Sequence, residues 1–358
     1  MTDDLSARKA ACTDTILGNG LDRPRDLLAT VDPGAAPDVY GEGGVVAELE
    51  EHVAGLLGKP AAVFLPSGTM AQGATLRVHA DSRGTRTVLW HPYAHLEQHE
   101  NQAHQRLHSL VGRSVGSHES LLGLDDLTPV AEPFAALLLE LPQRDLGGQL
   151  PAWDDLVAQT GWARERGAAV HLDGARIWEA SAGYERTPAE IAALFDTVYV
   201  SFYKGVGALP GCCVAGPRNV IEQVREWRSR LGGTLYAMWP AASSALGLVD
   251  DTLAQMPERL VHARAIATAL GAVPRIRVVP DPPQTPMMHL LLITTDETFR
   301  ANTKRLAEEA GLWTWSRAFP TGDPAVLRVE FSVGRATLRH TPAAIAEILA
   351  SLTEPTGD

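Results

Sequence analysis

The 358-residue chain predicts an α/β fold: a large domain on a mostly parallel sheet at 41–271, an amino-terminal arm at 1–40 and a small α+β domain at 272–358. Three observations predict it. From about residue 43 short apolar runs alternate with helix-like stretches, the pattern of βαβ units. The proline-rich PDPPQTP at 280–286 then breaks the chain, and the elements beyond it come in a different order. The length also exceeds what one core usually organises.

GVVAELEEHVAGLLG at 44–58 repeats its apolar residues every three or four positions and reads as a helix. AAVFL at 61–65 reads as a strand, the segment from SGTM as a helix, and TVLW at 87–90 as the next strand. AALLLEL at 135–141 is a buried strand, and PAWDDLVAQTGWARERG at 151–167 a helix between a proline and a glycine. AAVHLD at 168–173 and DTVYVSFY at 196–203 are short β-branched or apolar runs, each preceded by helix-like sequence. GCCVAG at 211–216 is a strand, PRNVIEQVREWRSRLGG at 217–233 a helix, and 236–271 a long helical stretch. In the small domain come strand MMHLLLIT, helix TFRANTKRLAEEAG, strand VLRVEFSV and helix TPAAIAEILASL. The first ten and last five residues read as disordered.

A net charge of −12 and a pI near 5.5 argue against nucleic acid and anionic membrane surfaces, which reward clustered Lys and Arg. A small-molecule partner is expected instead. Cys12, Cys212 and Cys213 are too few for a disulfide framework, and two are adjacent in an apolar strand, which suits a reducing compartment. The first twenty residues hold Asp3, Asp4, Arg8 and Lys9 without an apolar core, and no apolar stretch approaches membrane-spanning length. The expected location is the cytoplasm.

Asp173 ends one predicted strand and Lys204 follows another, and parallel strands open active sites at their carboxyl ends. A carboxylate keeps the ring nitrogen of pyridoxal 5'-phosphate protonated, and a lysine amine tethers that cofactor. Asp173 could instead cap the helix ARIWEA and Lys204 could be a solvated loop lysine. Glycines at 205, 207 and 211 favour a bulky ligand beside Lys204, since they let backbone pass close. FLPSGTMAQ at 64–72 is a strand, tight turn and helix start, whose Gly68 and Thr69 amides can point at a phosphate; Ser67 or Thr69 acting only as a cap is the alternative.

HPYAHLEQHENQAHQRLH places His91, His95 and His99 at i, i+4 spacing, on one helical face if the segment is helical. Pro92 interrupts that face and no Cys or HExxH pattern joins it, so the reading is a histidine that stacks on a cofactor and relays protons, with no metal. Arg328 interrupts the apolar strand VLRVEFSV; it either faces water at an edge or grips a carboxylate through two parallel hydrogen bonds.

YGEGGVVAELEEHVAGLLG, FLPSGTM, HPYAH, HLDGAR and YKGVGA, in this order and spacing, resemble the threonine aldolase or β-eliminating lyase family over about residues 12–335. The resemblance implies the aspartate aminotransferase-like fold, pyridoxal phosphate fold type I, and active sites shared between two subunits of a homodimer or homotetramer. It implies Lys204 as the covalent attachment point, Asp173 at the pyridine nitrogen and His95 on the ring, with Lys204 and His95 as the catalytic pair. Gly68, Thr69, Ser201 and Arg176 join them around the cofactor, and Arg176, Arg328 and Thr13 hold the substrate carboxylate. The chain departs from the pattern at three places. Tyr203 precedes Lys204 where the family has SKG, and GGTLYAM puts Tyr236 where an arginine would reach the phosphate across the subunit interface. ELPQRDLGGQ, with Gln143 and Arg144, stands where the family tends to carry ENTHN.

The activity so implied is cleavage of an L-3-hydroxy-α-amino acid, of threonine or phenylserine type, to glycine and an aldehyde. A β-eliminating lyase or glycine-condensing enzyme is the second reading, and a non-catalytic cofactor-binding protein the third.

Overall fold

Seven strands form the sheet of the larger unit, Leu27–Asp145 with Leu150–Leu253, in a computed structural model that describes residues 2–355. They are β1 (Ala61–Leu65), β2 (Thr87–Trp90), β3 (Val111–Ser114), β4 (Ala136–Glu140), β5 (Ala169–Asp173), β6 (Thr197–Ser201) and β7 (Cys212–Gly216). Their order is β1-β7-β6-β5-β4-β2-β3. β7 runs antiparallel to β1 and β6, and every other pair is parallel, so the sheet is mostly parallel as expected. The fold is the α/β aspartate aminotransferase-like one. β3 is an addition to the expected strands: VGRS carries no apolar run because an edge strand pairs on one side only and is half exposed.

Helices Gly68–Arg83 and Arg218–Arg230 bury one sheet face together, through Ala71, Ala74, Ile221 and Val224 against Val63, Leu65 and Val214. Cys212 and Cys213 are free and fully buried in β7.

The smaller unit comprises the chain up to Asp26, Leu146–Gln149 and everything from Ala254. Its four-stranded sheet has the order Phe319–Pro320, Val326–Ser332, Met287–Ile293, Ile276–Val279, antiparallel throughout. The units divide at 253–254, inside the helix Trp239–Leu270, and not at 271 where that helix ends. Ala263, Ile266 and Leu270 explain this, since they share a core with Leu290, Leu292 and Phe331. The expected arm at 1–40 likewise divides between the two units.

The disorder expected for the first ten residues is corrected by a helix, Thr2–Ala11. Arg8 lies 3.7 Å from Glu308, and Cys12 is buried beside Leu21 and Ala307. Asp14–Thr15 then pairs in parallel with Leu312–Trp313. Docking of this kind is set by distant sequence, so a short polar amphipathic segment does not announce it. Of the last five residues, 356–358 lie outside the described residues. Among the described residues no helix is long and apolar enough to cross a membrane.

Candidate active site

β5 and β6 are wholly buried, yet each alternates apolar with polar residues. Val170 and Leu172 alternate with His171 and Asp173, and Val198 and Val200 separate Thr197, Tyr199 and Ser201. Alternate side chains share a face, so these two central strands present a polar stripe that ends at their carboxyl termini. The helix Gly68–Arg83 covers it, with Gln72 against His171 and Gly68 against Tyr199.

Where stripe and helix start meet lies a cavity of about 200 Å³. Five residues expected from the sequence line it together: Gly68, Thr69, His95, Asp173 and Lys204. Ser67 precedes the helix in an extended conformation and makes no side-chain cap, so the first amides of the helix keep their capacity to bind an anion. Gly68 is required sterically, because a Cβ there would sit 2.3 Å from the Tyr199 hydroxyl oxygen. Gly68→Ala is therefore expected to lose about 1–3 kcal/mol of stability in urea unfolding as Tyr199 is displaced into the cavity.

Asp173 is buried and its Oδ1 accepts the Ala175 N–H at 3.1 Å. Lys204 lies just beyond β6, its Nζ 5.8 Å from the centre of the Tyr203 ring. Burial first, then the Arg176 guanidinium, lowers the Lys204 pKa against the opposing pull of Asp173 and Glu140. The amine is thereby held closer to its neutral, nucleophilic form. Of the glycines near it, Gly207 has a φ of +77°, whereas a Cβ on Gly211 would meet the Phe64 ring at 2.4 Å. The glycine at 211 thus answers to core packing, not to a ligand.

Glu140 was not singled out by the sequence, although it ends β4 directly opposite Asp173 in the sheet. Its Oε1 accepts the Arg144 N–H at 3.1 Å and its Oε2 accepts from Gln143 Nε2 at 3.0 Å. Burial, then the Asp173 carboxylate, pushes its pKa up to about 8. The folded protein then holds a proton that the unfolded chain releases near 4.5. Folded binds more protons than unfolded in that window, so this group's effect on stability becomes less favourable as pH rises from about 4.5 to about 8 and is constant beyond. Glu140→Gln is expected to flatten the fall in Tm between pH 5 and pH 8 relative to wild type. Thermal melts of the two proteins across that range decide it, and parallel curves exclude the shift.

His95 opens the short helix His95–Gln98, and its Nδ1 donates to Glu100 Oε1 at 2.9 Å. Glu100 is buried and its other oxygen has no hydrogen-bond partner. A carboxylate only accepts, so Nδ1 carries the ring proton and Nε2 is left to accept one. The three histidines do not share a helical face. The chain turns at 91–93, and His91 donates from Nε2 to the Ser120 carbonyl while accepting the Tyr93 N–H. His95 and His99 remain neighbours, ring centres 5.1 Å apart.

Ser201 is fully buried, its hydroxyl beside those of Tyr199 and Tyr203, whose pKa values it pulls down against burial. Arg176 stands at the start of the helix Ile177–Tyr184, its Nε 3.7 Å from Glu179. Thr13 and Arg328 belong to the smaller unit. Thr13 donates its backbone N–H to Gly311 O at 2.8 Å, and Arg328 extends its guanidinium over the Phe319 ring, 5.7 Å from the centre. Gln72, Glu100 and Tyr199 also line the cavity and were missed. The polar stripe in two otherwise apolar strands was the signal that could have found Tyr199.

An uncapped helix start for a phosphate, a buried carboxylate and a lysine of lowered pKa match the donor set that pyridoxal phosphate needs. Fold and site together define a pyridoxal phosphate-dependent lyase. The chain belongs to the β-eliminating lyase family, whose profile matches residues 22–292. The low specificity L-threonine aldolase of Escherichia coli K12 is 30% identical over 251 residues, 66% of this chain and 73% of that one. A solved structure from Exiguobacterium sp. 255-15, provisionally assigned as an aromatic amino acid β-eliminating lyase/threonine aldolase, is 35% identical with a TM-score of 0.90, covering 97% of this chain and 98% of that one. A provisionally assigned L-allo-threonine aldolase from Listeria monocytogenes EGD-E is 33% identical, also at a TM-score of 0.90, covering 98% of each.

Proposed function

We propose that this protein cleaves L-3-hydroxy-α-amino acids of threonine or phenylserine type to glycine and an aldehyde. The observation that carries the reading is the meeting of Asp173, Lys204 and the uncapped start of the helix Gly68–Arg83 in one cavity, in a chain of this family. Pyridoxal phosphate, when bound, supplies the electron sink that stabilises negative charge at the substrate Cα. Gly68, Thr69 and Ser201 would hold its phosphate, and Asp173 would keep its ring nitrogen protonated. Lys204 would provide the amine for covalent attachment, and its lowered pKa suits it to accept a proton. Arg176 would serve both the cofactor and the substrate carboxylate, orienting the bond to be broken. His95 accepts the β-hydroxyl proton at Nε2, directly or through one water, with Glu100 fixing its tautomer.

The protein acts in the cytoplasm as a homodimer or homotetramer with shared active sites. Tyr40 and Tyr236 support the assembly reading: both are more than half exposed and stack edge to face at 5.4 Å. Tyr236 then offers a hydroxyl to a neighbouring subunit's phosphate site. A second reading, β-elimination or glycine condensation, is kept because ELPQRDLGGQ, whose Gln143 donates to Glu140 beside Asp173 in the sheet, replaces the ENTHN-like segment. A panel of threonine, allo-threonine, phenylserine and a β-leaving-group amino acid separates the two. Aldehyde and glycine from the hydroxy amino acids are expected, and pyruvate-type keto acid from the leaving-group substrate alone selects the alternative.

A further inference from the structure

Behind the cavity lies a chain of buried polar side chains that the proposed reaction leaves unused. Gln72, His79, His171 and Thr197 are each no more than 3% exposed. Thr197 Oγ1 stands 2.8 Å from His171 Nδ1 and 2.8 Å from His79 Nε2, and His171 Nε2 stands 2.7 Å from Gln72 Oε1. His171 and Thr197 are also register partners in the sheet, so the backbone itself sets their approach.

With the Gln72 carboxamide oxygen toward His171, the direction of every link follows from what each group can do. Burial depresses both imidazoles to about 3, so each is neutral and carries one N–H. The Gln72 oxygen can only accept, which puts the His171 proton on Nε2 and leaves Nδ1 to accept from the Thr197 hydroxyl. That hydroxyl oxygen in turn accepts from His79 Nε2–H. The carboxamide oxygen of Gln72 is thus committed to the interior, and its Nε2 hydrogens remain for the cavity that Gln72 lines. Gln72 lies one helical turn beyond Gly68 on the same face, and helical side chains lean toward the helix start, here the side of the uncapped amides.

We propose that Gln72 is a cofactor-binding residue that donates from Nε2 to an anionic oxygen of bound pyridoxal phosphate, and that His171, Thr197 and His79 are positioning residues that fix which end of the carboxamide it presents. The inference rests on reading the cavity as the pyridoxal phosphate site. It adds a donor that no acidic or basic side chain supplies, set by a hydrogen-bond chain reaching from the cavity wall into the core.

Two measurements test it. Imidazole nitrogen chemical shifts of the cofactor-free wild type need no substitution, and His171 is expected to be Nε2-protonated from pH 5 to pH 9; an Nδ1-protonated ring overturns the proposal. Titration of cofactor-free protein with pyridoxal phosphate, followed by its visible band, is expected to give a Kd about tenfold weaker for Gln72→Met, the loss of one hydrogen bond to a charged oxygen. Thr197→Val, of nearly equal shape, is expected to weaken binding about threefold and to erase the His171 tautomer preference, while Thr197→Ser restores both. A Gln72→Met protein that binds within twofold of wild type overturns this proposal alone. A wild type that takes up no pyridoxal phosphate overturns the site reading and this inference with it.

Discussion

Lys204→Ala, purified with excess pyridoxal phosphate, is expected to lack the visible band of a lysine-bound cofactor and to lose at least about 10³-fold in turnover. Lys204 is the amine among the residues lining the cavity, and Arg176 beside it stays protonated and cannot replace it as a nucleophile. Lys59 makes the control. Burial lowers its pKa as well, but its Nζ donates to the Phe195 carbonyl at 2.6 Å and it faces Asp196, a fixed structural lysine. Lys59→Ala is expected to destabilise the protein yet keep the visible band. Lys204→Arg keeps the positive charge without the nucleophile, so loss of the band in that variant too separates bonding from electrostatics. A band that persists in Lys204→Ala removes Lys204 from the chemistry.

The elements that sequence reads well are those whose cause is local. AAVFL, TVLW and GCCVAG are apolar runs because these strands are buried, AAVFL even though it ends the sheet, and they became β1, β2 and β7 where expected. VGRS at 111–114 and the two-residue strand Phe319–Pro320 are edge pieces, whose hydrogen-bond partners rather than their composition make them strands. The boundary between units obeys the same logic. A helix ends at Leu270, but its second half packs into the other core, a fact carried by Leu290 and Phe331 many residues away.

The site divides in the same way. Gly68, Thr69, Asp173 and Lys204 were legible because strand ends and a helix start impose their own sequence pattern. Glu100 and Glu140 were not, since one stands five residues from His95 across a chain reversal and the other gains its meaning from register with Asp173. In the histidine run the i, i+4 spacing carried less than Pro92, which interrupts the face as expected and leaves a turn at 92–93.

Asp173→Asn is expected to lower turnover by about 10²- to 10³-fold, with the lysine-bound cofactor still formed. Asparagine keeps the oxygen that accepts the Ala175 N–H at 3.1 Å, so the turn after β5 is retained. What is lost is the negative charge that would pair with a protonated ring nitrogen, and the sink weakens. Glu140 supplies an independent readout in the same variant. The Asp173 carboxylate is the second cause, after burial, of its raised pKa, so removing that charge should bring the Glu140 titration below about 8. The sign is fixed, because a neighbouring anion disfavours a second one, and its loss makes ionisation easier. Carboxyl carbon chemical shifts tracked from pH 4 to pH 9 in both proteins measure the change without any substrate. Wild-type turnover combined with an unmoved Glu140 titration places Asp173 outside the site; reduced turnover with a lowered Glu140 pKa puts one carboxylate in charge of both the ring nitrogen and its neighbour in the sheet.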